Sequence, residues 1–180
     1  MSNYPTNDLV LDGQRIDFEL LFVNLEGRRD QFNTNGDRTF RLKFNDSEFA
    51  QELAEEGWNI KIYTPKNTDY EPYHYMNVKA KFRADAETVR RDPEIHLINS
   101  KNDIRCTVDT MHDIDAAFQA RTVKSVDLVL NPYHWVHPGM GAGEGVTAYL
   151  NQMWVVVEDS PFADRYANRN SDFYDEEIPF

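Results

Sequence analysis

Several stretches of the chain alternate apolar and polar residues with a period of two, the pattern an extended backbone turns into two faces. Over residues 15–25, Ile16, Phe18, Leu20 and Phe22 alternate with mostly polar neighbours before the run becomes apolar throughout. This predicts a long strand, half covered and then fully buried. Over 38–44, Phe40, Leu42 and Phe44 share one face, and Thr39, Arg41 and Lys43 the other. Over 58–63, Trp58, Ile60 and Ile62 oppose Asn59, Lys61 and Tyr63; over 74–83, Met76, Val78, Ala80 and Phe82 oppose Tyr75, Asn77, Lys79, Lys81 and Arg83. Residues 94–98 read as a short strand and 105–108 as a further candidate. Two long strands over 125–136 and 146–158 flank the glycine-rich 137–145, which predicts a hairpin with a long, flexible tip.

Helical signals are fewer. Over 45–57, Asn45 can cap, Glu48 stands three residues on as in a capping box, Phe49 and Leu53 stack at i and i+4, and Gly57 can close the C-terminus. A turn or two of helix is expected over 113–119, and a short helix over 160–168. Residues 26–37 form a polar loop turning at Asn35-Gly36, and 84–93 are charged and exposed. Seven or so short strands with one clear helix predict an all-β domain, a small closed antiparallel β-barrel with the content of an OB-fold, embellished. The expected division is a flexible N-terminal lead-in over 1–14, the barrel over 15–168 and a disordered acidic tail over 169–180. The clear helix follows the second predicted strand, whereas an OB-fold usually places it after the third.

Composition narrows the class. Aromatics are plentiful, no apolar run reaches membrane-spanning length, and no basic-then-apolar leader opens the chain, so a cytoplasmic protein is expected. The single cysteine, Cys106, has no partner at disulfide or metal-site spacing and reads as a small strand residue. A net charge of −12 opposes nucleic-acid binding until its distribution is considered. Residues 20–126 hold 16 Lys and Arg against 18 Asp and Glu, whereas 171–180 hold four carboxylates and no base. The acid is concentrated at the ends.

The polar faces of the predicted strands collect Arg41, Lys43, Lys61, Tyr63, Tyr75, Lys79, Lys81 and Arg83 without a carboxylate among them. Cations for phosphates interleaved with aromatics for bases are what sequence-tolerant single-strand binding requires. Arg28, Arg29, Phe32 and Arg38 extend the same groove, and Tyr133 is a further candidate for base stacking. An ordinary solvated sheet face has the same alternation. Trp58, Trp135 and Trp154 are assigned to the core. His134 and His137, three apart in a strand, point to opposite faces and make poor joint metal ligands. The run 139–143 precedes a strand and lacks the Lys-Ser/Thr of a phosphate loop. No catalytic constellation, metal or cofactor is indicated.

The last residues, Asp172, Asp175, Glu176, Glu177, Ile178, Pro179 and Phe180, combine acid with an apolar tripeptide. The stretch resembles the acidic tip of bacterial single-stranded DNA-binding proteins, which implies a hook for partner proteins. The body resembles a family of phage single-stranded DNA-binding proteins of OB-fold type. The matching stretches are 21–27 (LFVNLEG), 33–40 (NTNGDRTF), 54–61 (AEEGWNIK), 126–135 (VDLVLNPYHW) and 145–150 (GVTAYL), and 84–125 matches least. The resemblance implies a non-enzymatic, sequence-independent single-stranded DNA-binding protein of phage replication, recombination or repair, acting in the host cytoplasm. Its implied partners are single-stranded DNA and, through the tail, a polymerase, helicase, primase or exonuclease; membrane is not among them, and a homo-oligomer is left open. The alternatives are a protein-binding adaptor without nucleic-acid affinity and a metal-dependent nuclease on a similar barrel.

Overall fold

Polar residues dominate the start of the chain, yet Leu11 is fully buried and draws its neighbours into the first strand, β1 (Leu9–Leu11). The expected loose lead-in is therefore partly a strand, paired antiparallel with residues 128–130. The structure, a computed structural model, describes residues 4–139 and 143–159. The predicted helix over 160–168, the acidic tail and the centre of the glycine-rich tip lie outside those residues.

The remaining elements are β2 (Phe18–Asn24), β3 (Arg38–Phe44), α1 (Ser47–Glu55), β4 (Lys61–Tyr63), β5 (Tyr73–Ala80), β6 (Glu94–Ile98), β7 (Asp103–Cys106), a 3-10 turn (Val108–Thr110), α2 (Met111–Gln119), β8 (Val123–His137) and β9 (Gly143–Val157). Helix α1 starts one residue later than Asn45 suggested. Asp46 is the cap, its carboxylate accepting from the Glu48 and Phe49 amides, while Asn45 turns its amide to Asp17. The C-terminus closes as anticipated. Gly57, at φ 103°, lets its own N–H reach Ala54 O and the Trp58 N–H reach Leu53 O, a Schellman pair.

The sheet runs β1-β8-β9-β5-β3-β2, with β4 added to β5, β6 added to β9 and β7 to β6. Two strands divide an edge between partners: β5 takes β4 at 73–75 and β9 at 78–79, and β9 takes β5 at 148–149 and β6 at 152–156. Both contacts of β9 on that edge are parallel. The expected closed, wholly antiparallel barrel is thus corrected to an open, mixed sheet with two short helices. Strands β1 and β2 end the path and do not pair with each other among the described residues. A physical reason is visible beyond the end of β2, where the amides of Leu25 and Glu26 donate to the buried carboxylate of Asp115 on α2 instead of to a strand. Burial pushes the Asp115 carboxyl up, and those two amides together with the Arg28 guanidinium offset this only in part, so the net shift is upward.

The alternation of β3 and β5 holds throughout. Phe40, Leu42, Phe44, Met76, Val78, Ala80 and Phe82 are buried in one core with Leu128, Leu130, Met153 and Val155. Each of these side chains larger than alanine contributes about 1.5 to 3 kcal/mol on burial. Trp58 joins this core as anticipated, but Ile62 on the three-residue β4 is exposed. Cys106 ends β7, buried.

Candidate nucleic-acid interface

A bulge decides the character of β2. Its register to β3 slips between Leu21, opposite Arg41, and Asn24, opposite Thr39, so β2 carries one residue more than its partner. Phe22 absorbs the slip at φ 54°, a left-handed backbone that is an outlier for a bulky side chain. The expected core residue is instead 73% exposed, and Val23 packs inward in its place. The displaced ring lands beside Arg41. The guanidinium carbon lies 4.0 Å from the Tyr75 ring centre and 5.1 Å from that of Phe22, and Arg41 Nη1 donates to the Tyr73 hydroxyl at 3.0 Å. Arg41 Nε is the one buried side-chain N or O atom, among the described residues, without a hydrogen-bond partner. Such a donor costs about 1 to 3 kcal/mol, so the flanking rings must offset it.

Aromatic contacts continue across β4 and β5. Tyr73 meets Tyr63 at 5.1 Å and Tyr75 at 5.9 Å between ring centres, and Lys43 Nζ lies 5.2 Å from the Tyr73 ring centre. Lys61 pairs with Tyr75 in register and is exposed. Lys43 is partly neutralised, its Nζ 3.1 Å from Glu19 on β2. At the far end of β5, Lys79 stands opposite Tyr149 of β9, and Lys81 Nζ lies 5.4 Å from the Tyr149 ring centre. Tyr149 in turn meets Tyr133 of β8 edge-on at 6.0 Å, with Tyr133 55% exposed. Trp135, assigned to the core from sequence, is half-buried outside it. Its indole lies against Gly145 directly across the ladder, where a Cβ would come within 2.6 Å of the ring.

The interface candidates thus fall into three groups. Arg41, Lys43, Lys61, Tyr63 and Tyr75 gather on one patch, and Lys79, Lys81 and Tyr133 on a second adjoining it. Arg28 and Arg83 belong to loops, and Arg38 opens β3 at the edge of the loop before it. Arg38 is only 13% exposed at its side chain, held by Asp85 at 2.7 Å and by the Leu25 carbonyl. Arg28 is tied to Val23 O and Asn24, and the Arg83 amide donates to Asp92. Phe22, Tyr73 and Tyr149 are the members that sequence reasoning missed. Tyr149 was legible, since it alternates with the buried Ala148 and Leu150; Phe22 was not, because its place depends on the bulge.

The family model described as "Putative phage ssDNA-binding domain" matches residues 2–178, nearly the whole chain. The chain belongs to this family. Among solved structures, this phage ssDNA-binding domain is similar to the single-stranded DNA-binding protein from bacteriophage Enc34, in a C-terminal truncation, with a TM-score of 0.48 and 11% identity over 86% of this chain and 88% of that one. It is also similar to gp2.5, a single-stranded DNA-binding protein encoded by bacteriophage T7, with a TM-score of 0.36 and 9% identity over 90% and 93%. None of the curated proteins matches it.

The opposite end of this domain's sheet is chemically different. Trp154, also assigned to the core, lies outside it and stacks on His96 with 6.0 Å between ring centres. His96 is held by Asp103 at 2.7 Å and Glu94 at 3.0 Å, and Asp127 faces Trp154 across the β8–β9 ladder. Burial lowers the basicity of His96, but the two carboxylates outweigh it and the net shift is upward. At the hairpin, His134 stacks on Tyr4 at 3.8 Å and bonds Glu144, while His137 lies on the other side against Trp135. No cluster of three metal-ligating side chains occurs among the described residues, and no helix among them is long and apolar enough to cross a membrane.

Proposed function

We propose that the protein binds single-stranded DNA without sequence preference across the outer face of β2, β3, β5, β9 and β8, in phage DNA replication, recombination or repair. The observation that carries this reading is the Phe22–Arg41–Tyr75 stack, a cation held between two aromatic faces on a surface that also presents Lys61, Lys79 and Lys81. Bases stack on such rings, and the cations meet the phosphates between them. From Phe22 to Tyr133 the track crosses four strand spacings, about 19 Å. At the rise of about 3.4 Å for a stacked strand this accommodates about five or six nucleotides. The backbone strain at Phe22 and the unpartnered Arg41 Nε fit a surface shaped for a ligand, since such costs collect at functional sites. Residues 172–180, acidic and then apolar, recruit replication or recombination proteins. No bond is made or broken in this function.

Titration of a fluorescent oligonucleotide at two salt concentrations tests the reading. Micromolar or tighter binding to single strands, preferred over duplex and weakened by salt, is expected. Equal binding of the two forms, or none, overturns it.

A further inference from the structure

The charged segment 84–93 is exposed but held in one shape. The Asp85 and Ala86 amides donate to Phe82 O, the Val89 amide to Ala86 O and the Arg83 amide to Asp92, while Arg38 grips Asp85. Pro93 is buried at its end. So pinned, the segment stands against the outer face of β8 and β9 and forms with it an open cavity of about 470 Å³. Val89 and Pro93 line one side, Tyr133 and Tyr149 another, and Lys81 and Arg91 bring two cations. Both arginine and lysine are without a carboxylate partner in this cavity's lining, unlike Lys43, which spends its charge on Glu19.

We infer that this cavity is a discrete nucleotide-binding subsite, in which one base of the single strand packs on Tyr133 beside Tyr149 and its phosphate is held by Lys81 and Arg91. The inference rests on the single-strand-binding reading above and makes it more specific. The occupant follows from the lining: two phenol rings provide a π-face, and two cations on the rim meet an anion. Segment 84–93 is then a wall of the binding site and not a decoration of the sheet. It also adds a site displaced by three strand spacings, about 14 Å, from the Arg41 stack on β3. A strand must therefore be long enough to reach both before it attains full affinity.

The test uses the full chain with the variants Arg91→Ala, Arg90→Ala and Tyr133→Ala, and fluorescent oligodeoxythymidylates of increasing length over a range of salt. Arg90 is the neighbouring exposed arginine of the same segment and does not line the cavity. Arg91→Ala is expected to lower the slope of log affinity against log salt by about 0.7, the value for one phosphate contact on a single strand, with Arg90→Ala close to wild type. Tyr133→Ala is expected to weaken long oligonucleotides by roughly five- to 150-fold, the equivalent of one lost stack. It should also shorten the length at which affinity reaches its plateau. Equal losses from Arg90→Ala and Arg91→Ala, or an unchanged plateau length in Tyr133→Ala, overturn the subsite while wild-type binding leaves the broader reading intact. Absence of wild-type binding removes both.

Discussion

Strand β9 carries two aromatic side chains on its outer face five residues apart, Tyr149 and Trp154, and their surroundings are opposite in charge. Tyr149 has Lys81 over its ring and Lys79 across the ladder. Trp154 has His96 on its ring and Asp127 across the ladder, with Glu94 and Asp103 behind the histidine. One sheet thus offers rings at both ends and lysines beside the ring at one, while at the other the charge around the ring is dominated by carboxylates. An aromatic alone does not make a strand-binding surface; the phosphates beside each base require positive charge, and a carboxylate in the same place repels them.

The strongest way to break this comparison is to remove one residue from each end. Arg41→Ala is expected to weaken single-strand binding about 100-fold, roughly 3 kcal/mol, because it removes a cation and collapses the stack between Phe22 and Tyr75. Trp154→Ala should leave affinity within about twofold while lowering folding stability by about 1 to 3 kcal/mol. Comparable losses of affinity in anisotropy titrations would erase the distinction between the two ends.

Phe22→Gly separates strain from binding. Glycine adopts φ 54° freely, and this relief offsets the ring lost from Arg41, so denaturant melts should show stability within about 1 kcal/mol of wild type. Affinity should nevertheless fall about 30-fold, one stacked ring being worth about 2 kcal/mol. A variant that is destabilised and binds normally would make Phe22 a structural residue.

A smaller effect sharpens the electrostatic half of the contrast. Lys79→Glu is expected to cost about tenfold in affinity at low salt, with the gap narrowing as salt screens it. Arg105→Glu makes the same charge change beside Glu94, at the acidic end, and should leave affinity unchanged.

The least effect is expected from His96, and it concerns stability. Its folded pKa lies above the ordinary 6.5, since Asp103 and Glu94 outweigh the lowering by burial. The stabilisation is therefore full below pH 6.5 and is lost as pH rises through the raised value. His96→Gln should flatten that part of a stability-against-pH curve while leaving DNA affinity unchanged. A wild-type curve that rises over the same window would contradict the sign.

The two bulges explain what was and was not legible in the chain. Strict alternation from Phe18 and Leu20 carries Phe22 inward, and from Val146, Ala148 and Leu150 it carries Gln152 and Trp154 inward. At 21–24 of β2 and at 150–152 of β9 an extra residue reverses the phase. A slip of one residue exchanges the faces of everything beyond it, which brings Phe22 out beside Arg41 and Trp154 out beside His96. Polar Gln152 in the inward phase was the one local hint. The openness of the sheet was hidden for a related reason, because the acceptor for the Leu25 and Glu26 amides is Asp115, some 90 residues away in sequence.

By itself the sequence determined the faces of β3 and β5, the helix between β3 and β4, the balanced charge of the body and the candidate cations, because these depend on short-range periodicity and composition. Tertiary structure alone decided which cations remain available. Arg38 and Arg41 stand three residues apart on β3, yet one is consumed by Asp85 and a carbonyl of the loop, and the other is held between two rings. The difference lies in partners supplied by distant segments, and no local pattern encodes which partner a side chain will meet.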